Sequence, residues 1–273
     1  MNRKMLYDRD YHILTDEERI RLEQAESFKE KSYLLSDGWT TEELFKYHEI
    51  LPEAARYYNS LFPNNLLNPD TLKETTINKK IETEFQVLLN SDITERDILN
   101  FINENKYYNL IGSIFQWYTF GHHVAYLFKE FEFPSTYKAD YLLIGRSSGG
   151  YSFVFIELEN PYGQITQKNG EFGDTFRKGI KQAEDWDSWL ESNFSSLSLI
   201  FEKYKNPRID LPKEFHKLDK SRLNYVVVAG RRNDFSEKTY EIGRKFQKRN
   251  NIRIMHYDNL IDAFKELIRH RNY

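Results

Sequence analysis

The 273-residue chain contains no cysteine. That excludes a disulfide scaffold, a thiolate zinc site and a cysteine nucleophile. It also lacks any run of about eighteen apolar residues, and its mean hydropathy is −0.73, so no membrane-spanning helix is expected. The start, Met1-Asn-Arg-Lys-Met-Leu-Tyr-Asp-Arg-Asp, has no apolar stretch behind its charges. A secretory signal is therefore not expected, and the cytoplasm is the expected address. There is no internal repeat, no low-complexity tract, no P-loop or G-x-G-x-x-G, and no serine-centred nucleophile elbow. His122-His123 has no carboxylate or further histidine nearby at metal-ligand spacing, which favours a structural or exposed role.

What is present is the composition of a folded domain: 40% hydrophobic, 16% aromatic and 30% charged residues. That many aromatic side chains can bury a substantial core. The net charge of −3 is unevenly spread. From Phe201 to Tyr273 there are 18 basic and 10 acidic residues, a net of +8, against −11 over the first 200. A basic C-terminal third is a candidate nucleic-acid footprint, and equally a set of solvated helix faces.

Residues 1–90 read as a helix-rich region without a chemical motif. Thr15-Asp-Glu-Glu is a helix start of the capping-box type and Thr40-Thr-Glu-Glu suggests another helix start, while Pro63, Asn64-Asn65 and Pro69 mark loops. Residues 91–273 form the second unit. Thr94-Glu-Arg-Asp opens an amphipathic helix expected to run toward Leu110. Lys138–Ile144 and Tyr151–Glu159 are expected to be a strand pair around the turn Gly145–Gly150. Phe176, Ile180, Ala183, Trp186, Trp189 and Leu190 recur at helical spacing. Tyr225–Ala229 reads as a buried strand, Phe235–Lys248 as a helix, Ile252–His256 as a strand and Leu260–Ile268 as a last helix. The sum is an α/β or α+β sheet domain. The aromatic stretch between Ile111 and Phe133 has no clear pattern.

Chemistry concentrates on the hairpin. Glu157 and Glu159 are two residues apart on a strand, so they share a face. If Ile144 pairs with Tyr151, Asp140 lies opposite Phe155 and diagonal to Glu157, roughly 7–8 Å away. Carboxylates converging at a strand end repel one another unless a cation sits among them, and magnesium suits such hard oxygen donors. Spacing alone leaves open the alternative of a solvated strand face.

These residues carry a resemblance. Asp140, Glu157-Leu-Glu159 and a helix bearing Gln182 resemble the PD-(D/E)xK nuclease pattern. More narrowly, Phe155–Pro161, Thr166-Gln-Lys-Asn-Gly170, Gly179–Leu190 and Ile254–Leu260 resemble the Shedu nuclease domain of bacterial anti-phage defence, over about residues 91–268. The resemblance implies a restriction-endonuclease-like mixed sheet flanked by helices, with residues 1–90 as a helical extension. It implies a Mg²⁺-dependent (or Mn²⁺-dependent) DNA endonuclease or nickase, with Asp140 and Glu157 as metal ligands and Gln182 supporting the site. Glu95, in the first turn of its helix, matches an additional acid of the wider superfamily or simply complements the helix dipole.

One position departs from the pattern. Where lysine usually stands two residues after the glutamate, this chain has Glu159. Lys168 is the expected replacement for the missing cation, alongside its alternative as a plain surface lysine. The alternative function is a non-catalytic DNA-binding or assembly module that keeps the nuclease fold. Arg231, Arg232, Arg244 and Lys248 are the expected DNA-backbone contacts. A homo-oligomer is also implied, with Phe45, Tyr47, Tyr57 and Tyr58 at its interface, or else a helical layer covering the core of one monomer.

Overall fold

A hairpin closed by Ser148 and Gly149 sets the geometry of everything around it. In the computed structural model, which describes residues 5–35, 40–134 and 137–273, strand β2 (Lys138–Ser147) turns into β3 (Gly150–Leu158) with Ser147 paired to Gly150. Gly150 sits at φ 104°, a conformation glycine adopts without strain. β2 runs three residues nearer the turn than the sequence suggests, and β3 begins one residue earlier. The register is therefore Arg146 with Tyr151 and Ile144 with Phe153, not Ile144 with Tyr151.

Three more strands complete a mixed sheet in the order β1-β2-β3-β4-β5. β1 (Val124–Glu132) is antiparallel to β2, while β4 (Leu223–Val228) and β5 (Ile252–Met255) continue parallel from β3. β1 lies in the stretch that had no clear pattern. Its alternation is broken at Glu130, which stands at φ 47°.

Ten α-helices surround the sheet among the described residues. They are α1 (Asp16–Leu35), α2 (Thr41–Ile50), α3 (Ala54–Tyr58), α4 (Thr75–Leu89), α5 (Glu95–Asn105), α6 (Asn109–Gly112), α7 (Asp174–Asn193), α8 (Leu197–Tyr204), α9 (Glu237–Asn250) and α10 (Tyr257–His270). A capping box holds α1, as its sequence leads one to expect, and others hold α2 and α5. Thr15 and Glu18, Thr40 and Glu43, and Thr94 and Asp97 bond reciprocally. Helix α5 stops at Asn105 rather than near Leu110, because Lys106 takes a left-handed cap at φ 57°.

Both sheet faces are covered, which is why β3 and β4 read as continuous apolar runs. Phe153, Phe155, Tyr225 and Val227 face α7, α8 and Phe62. Val154, Ile156, Val226 and Val228 face α4, α5 and α10. α7 crosses from β3 to β4 and buries Phe176, Ile180, Ala183, Trp186 and Leu190.

Residues 54–89 build the same two layers as the sheet. Phe62 and Tyr57 belong to one, and Ile81, Phe85 and Leu89 to the other. Tyr57 is therefore not at a surface: it is buried and stacks on Tyr11 with ring centroids 4.1 Å apart. Arg208 lies over the Tyr58 ring, while Phe45 is 72% exposed. Among the described residues no helix is long and apolar enough to cross a membrane.

Candidate functional site

The corrected register moves Asp140 from a diagonal position to one directly across from Glu157, since Tyr141 pairs with Ile156 one step before. Directly opposite residues share a face and approach more closely than diagonal ones. The Leu158 N–H donates to Asp140 Oδ2 at 2.8 Å and fixes that carboxylate against the end of β3. Glu157 is 5% exposed and Glu159 1% exposed. Glu159 lies one residue beyond the strand, yet its N–H still donates to Val228 O, and the Tyr257 hydroxyl donates to its carbonyl at 2.7 Å.

Helix α7 brings two more side chains to these acids. Gln182 Nε2 donates to Glu157 Oε1 at 2.6 Å, and Lys178 Nζ pairs with Glu159 Oε2 at 2.9 Å. The approach depends on Gly179. A Cβ there would stand 2.6 Å from Val227 Cγ1 and 3.1 Å from Glu159 Cγ. Glycine lets the helix lie close enough for its neighbours to reach the strand ends. Glu95 arrives from α5, whose first free N–H, that of Glu95 itself, donates to Asn160 Oδ1 at 2.9 Å.

The electrostatics are those of crowded, buried acids. Burial pushes up the pKa of Asp140, with Glu95 and Glu159 adding repulsion against the Leu158 hydrogen bond. Burial likewise raises Glu157, helped by the charges of Asp140 and Glu159. Glu159 and Glu95 are raised by burial too, with Lys178 opposing in both cases.

Such a set suits a hard cation, because the only donors are oxygens and two of them are orphaned. Glu159 Oε1 and Gln182 Oε1 are buried without a hydrogen-bond partner. No three His, Asp or Glu side chains among the described residues stand close enough together to hold a metal by themselves. Magnesium does not need three. It is commonly held by one or two carboxylates and retains several waters.

The other expected residues lie elsewhere. Lys168 is exposed in a turn that docks on the start of α9: Thr166 Oγ1 donates to Asp234 O, and Thr239 Oγ1 donates to Gly170 O. The cation beside Glu159 is Lys178, which the sequence reading passed over. Its signal is its place four residues before Gln182, on the same helix face.

Arg231 is committed to structure, paired with Asp258 at 2.9 Å and bonded to Leu89 O. Arg232 is paired with Asp262, and its N–H donates to Asp258. Arg244 and Lys248 are exposed on α9. Lys248 lies toward the end of α9 that leads into the start of β5, whereas the acids sit where β3 ends, at the opposite end of the parallel strands.

No curated protein matches the chain. A family model described as Shedu protein SduA, C-terminal, matches residues 92–261, a span that begins beside Glu95 and takes in all five strands, the three strand-end acids and α7. With well over half its length matched, the chain belongs to the Shedu family, whose place is in anti-phage defence.

Proposed function

We propose that the chain is a magnesium-dependent DNA endonuclease or nickase of the PD-(D/E)xK kind, serving that defence. The observation that carries this reading is the placement of Asp140 directly opposite Glu157, both with raised pKa, with Gln182 and Lys178 reaching the same strand ends. Asp140 and Glu157 would hold the ion, each through the oxygen that Leu158 or Gln182 leaves free. Magnesium (or manganese) bound there would lower the pKa of a water and polarise a phosphoryl oxygen. Gln182 orients the Glu157 carboxylate. Lys178 holds Oε2 of Glu159 and favours its anionic form, which leaves the buried Oε1 to accept a hydrogen bond from an attacking water. Lys178 thereby supplies the cation usually found at the position of Glu159.

The purified chain should nick or cut plasmid DNA with Mg²⁺ or Mn²⁺ and stop in chelator. Glu157→Gln should be inactive with an unchanged circular dichroism spectrum. A mutant that cuts as fast as wild type would remove the site assignment. The second reading, a binding or assembly module without turnover, is favoured by the absence of three acids at metal-holding spacing among the described residues. It predicts salt-sensitive DNA binding and no cleavage under any divalent ion.

A further inference from the structure

A cavity opens at the β5 edge of the sheet, between α9, β5 and Trp117, with a volume of about 280 Å³. Glu157 pairs with Val227 and Val227 with Ile254, so the cavity begins two strands away from the carboxylates, roughly 10 Å across the sheet. Its lining holds two arginines, Arg244 and Arg253, and no acid.

Those arginines differ from Arg231 and Arg232 in a telling way. Arg231 and Arg232 are neutralised by Asp258 and Asp262, whereas among the described residues no carboxylate lies within ion-pair distance of Arg244 or Arg253. Arg253 is partly buried over the Tyr118 ring at 5.5 Å, and its Nε has no hydrogen-bond partner. A guanidinium partly withdrawn from water, with a buried N–H left unpaired, gains from a bound anion.

Charge alone would suit inorganic phosphate, but the rest of the wall asks for more. Trp117, Phe235 and Tyr240 give it aromatic surface. Gln247 donates its amide N–H to Asn251 Oδ1 at 3.3 Å, while its own Oε1 is buried and accepts from nothing. The complement is a phosphate joined to a flat ring that carries an N–H donor. The volume is at the small end for ligand pockets, and suits one such unit rather than several.

We infer that this cavity is a binding site for one nucleoside phosphate unit, separate from the carboxylate centre and independent of metal. The phosphate lies between Arg244 and Arg253, and the base packs on the aromatic wall and donates toward Gln247. The unit is either a free nucleotide or one nucleotide of a nucleic-acid strand, since both present the same chemistry.

Calorimetric titration of the full chain in chelator tests this without reference to cleavage, so the nuclease reading can fail while this one stands. The probes are AMP, inorganic phosphate, adenosine and a short single-stranded oligonucleotide. AMP binding at least tenfold tighter than either of its parts, and weakened at least tenfold by Arg244→Glu and by Arg253→Gln, identifies a free-nucleotide site. An oligonucleotide affinity that falls as much in both variants, with no binding of AMP, assigns the site to a strand. Arg244 is on the exposed face of α9, so its variant remains informative if Arg253→Gln fails to fold. Affinities for AMP and for the oligonucleotide that are both unchanged by Arg244→Glu overturn the proposal.

Discussion

Lys178 and Glu159 form an ion pair whose two ends live in different surroundings: the carboxylate side chain is 2% exposed and the ammonium side chain 62%. An anion held in the interior is tied to a cation that reaches in from solvent. If the proposed chemistry holds, Lys178→Met should lower the nicking rate by about a hundredfold, the scale typical of losing one charge-stabilising group. Lys178→Arg should recover part of it. Lys168→Ala should leave the rate unchanged, and single-turnover plasmid assays would separate the two lysines.

Asp140 and Glu157 also predict how the metal-free fold responds to pH. Burial raises both carboxyls above the usual carboxylate value of about 4, so the folded chain keeps protons the unfolded chain has released. Their contribution to stability is thus fully present below that usual value and is lost as pH rises toward the raised ones. Between pH 5 and pH 8 in chelator, the melting temperature of wild type should fall more than that of Glu157→Gln. Saturating Mg²⁺ at pH 8 should raise it in wild type and not in the variant. Thermal melts at the two pH values check the sign directly.

Gln182 acts through Glu157, so its loss should appear as weaker metal use. Gln182→Leu keeps the helix but removes the 2.6 Å donor. About tenfold more Mg²⁺ should be needed for half-maximal nicking, in line with other residues that orient a metal ligand. A purely structural role would change the melting temperature and leave the Mg²⁺ requirement where it was.

The sequence makes β2 to β5, the two crossover helices and the acid pair legible because each rests on a local pattern, whereas β1 lies in an aromatic stretch without one. Tyr225–Val228 announces a buried strand, and Phe176 to Leu190 a one-sided helix. What escaped depends on contacts between distant residues. The hairpin register followed from how far Arg146 and Tyr151 continue pairing, which turn composition does not fix. Lys178 was hidden because the expected lysine position is occupied by Glu159, and only the packing of Gly179 on Val227 shows which helix residues reach the acids. Arg231 shows the converse. Its charge is visible in the sequence, but the partner that neutralises it, Asp258, is 27 residues away.

Arg231 should accordingly be a stability residue. It joins the segment after β4 to Asp258 at the start of α10 and to the C-terminal carbonyl of α4 at Leu89. Arg231→Ala should cost about 2 kcal/mol in denaturant melts, as expected when a partly buried pair loses one member. The salt dependence of DNA binding should not change. Arg244→Glu with Lys248→Glu should do the reverse, leaving stability within about 0.5 kcal/mol and flattening the salt slope.

The last prediction concerns a chain that starts at Lys79. Residues 61–67 run along β1, the outer strand of the sheet. Leu61 N–H donates to the Tyr126 hydroxyl, Asn65 Nδ2 to Leu127 O, and Leu67 N–H to Ala125 O at 2.9 Å. Phe62 is fully buried, with its ring centroid 5.1 Å from Tyr126, 5.2 Å from Phe128 and 5.6 Å from Phe215. Removing this segment would expose the β1 edge and part of an aromatic core together, and an open apolar edge is a template for aggregation. The shortened chain should therefore be insoluble or lack a cooperative melt. Light scattering on it would report aggregation rather than assembly. The assembly question belongs to the full chain, where Phe45→Glu on α2 alters an exposed aromatic without touching the core. If the chain starting at Lys79 melts cooperatively near the full-length temperature, residues 54–78 are a covering layer and not part of the core.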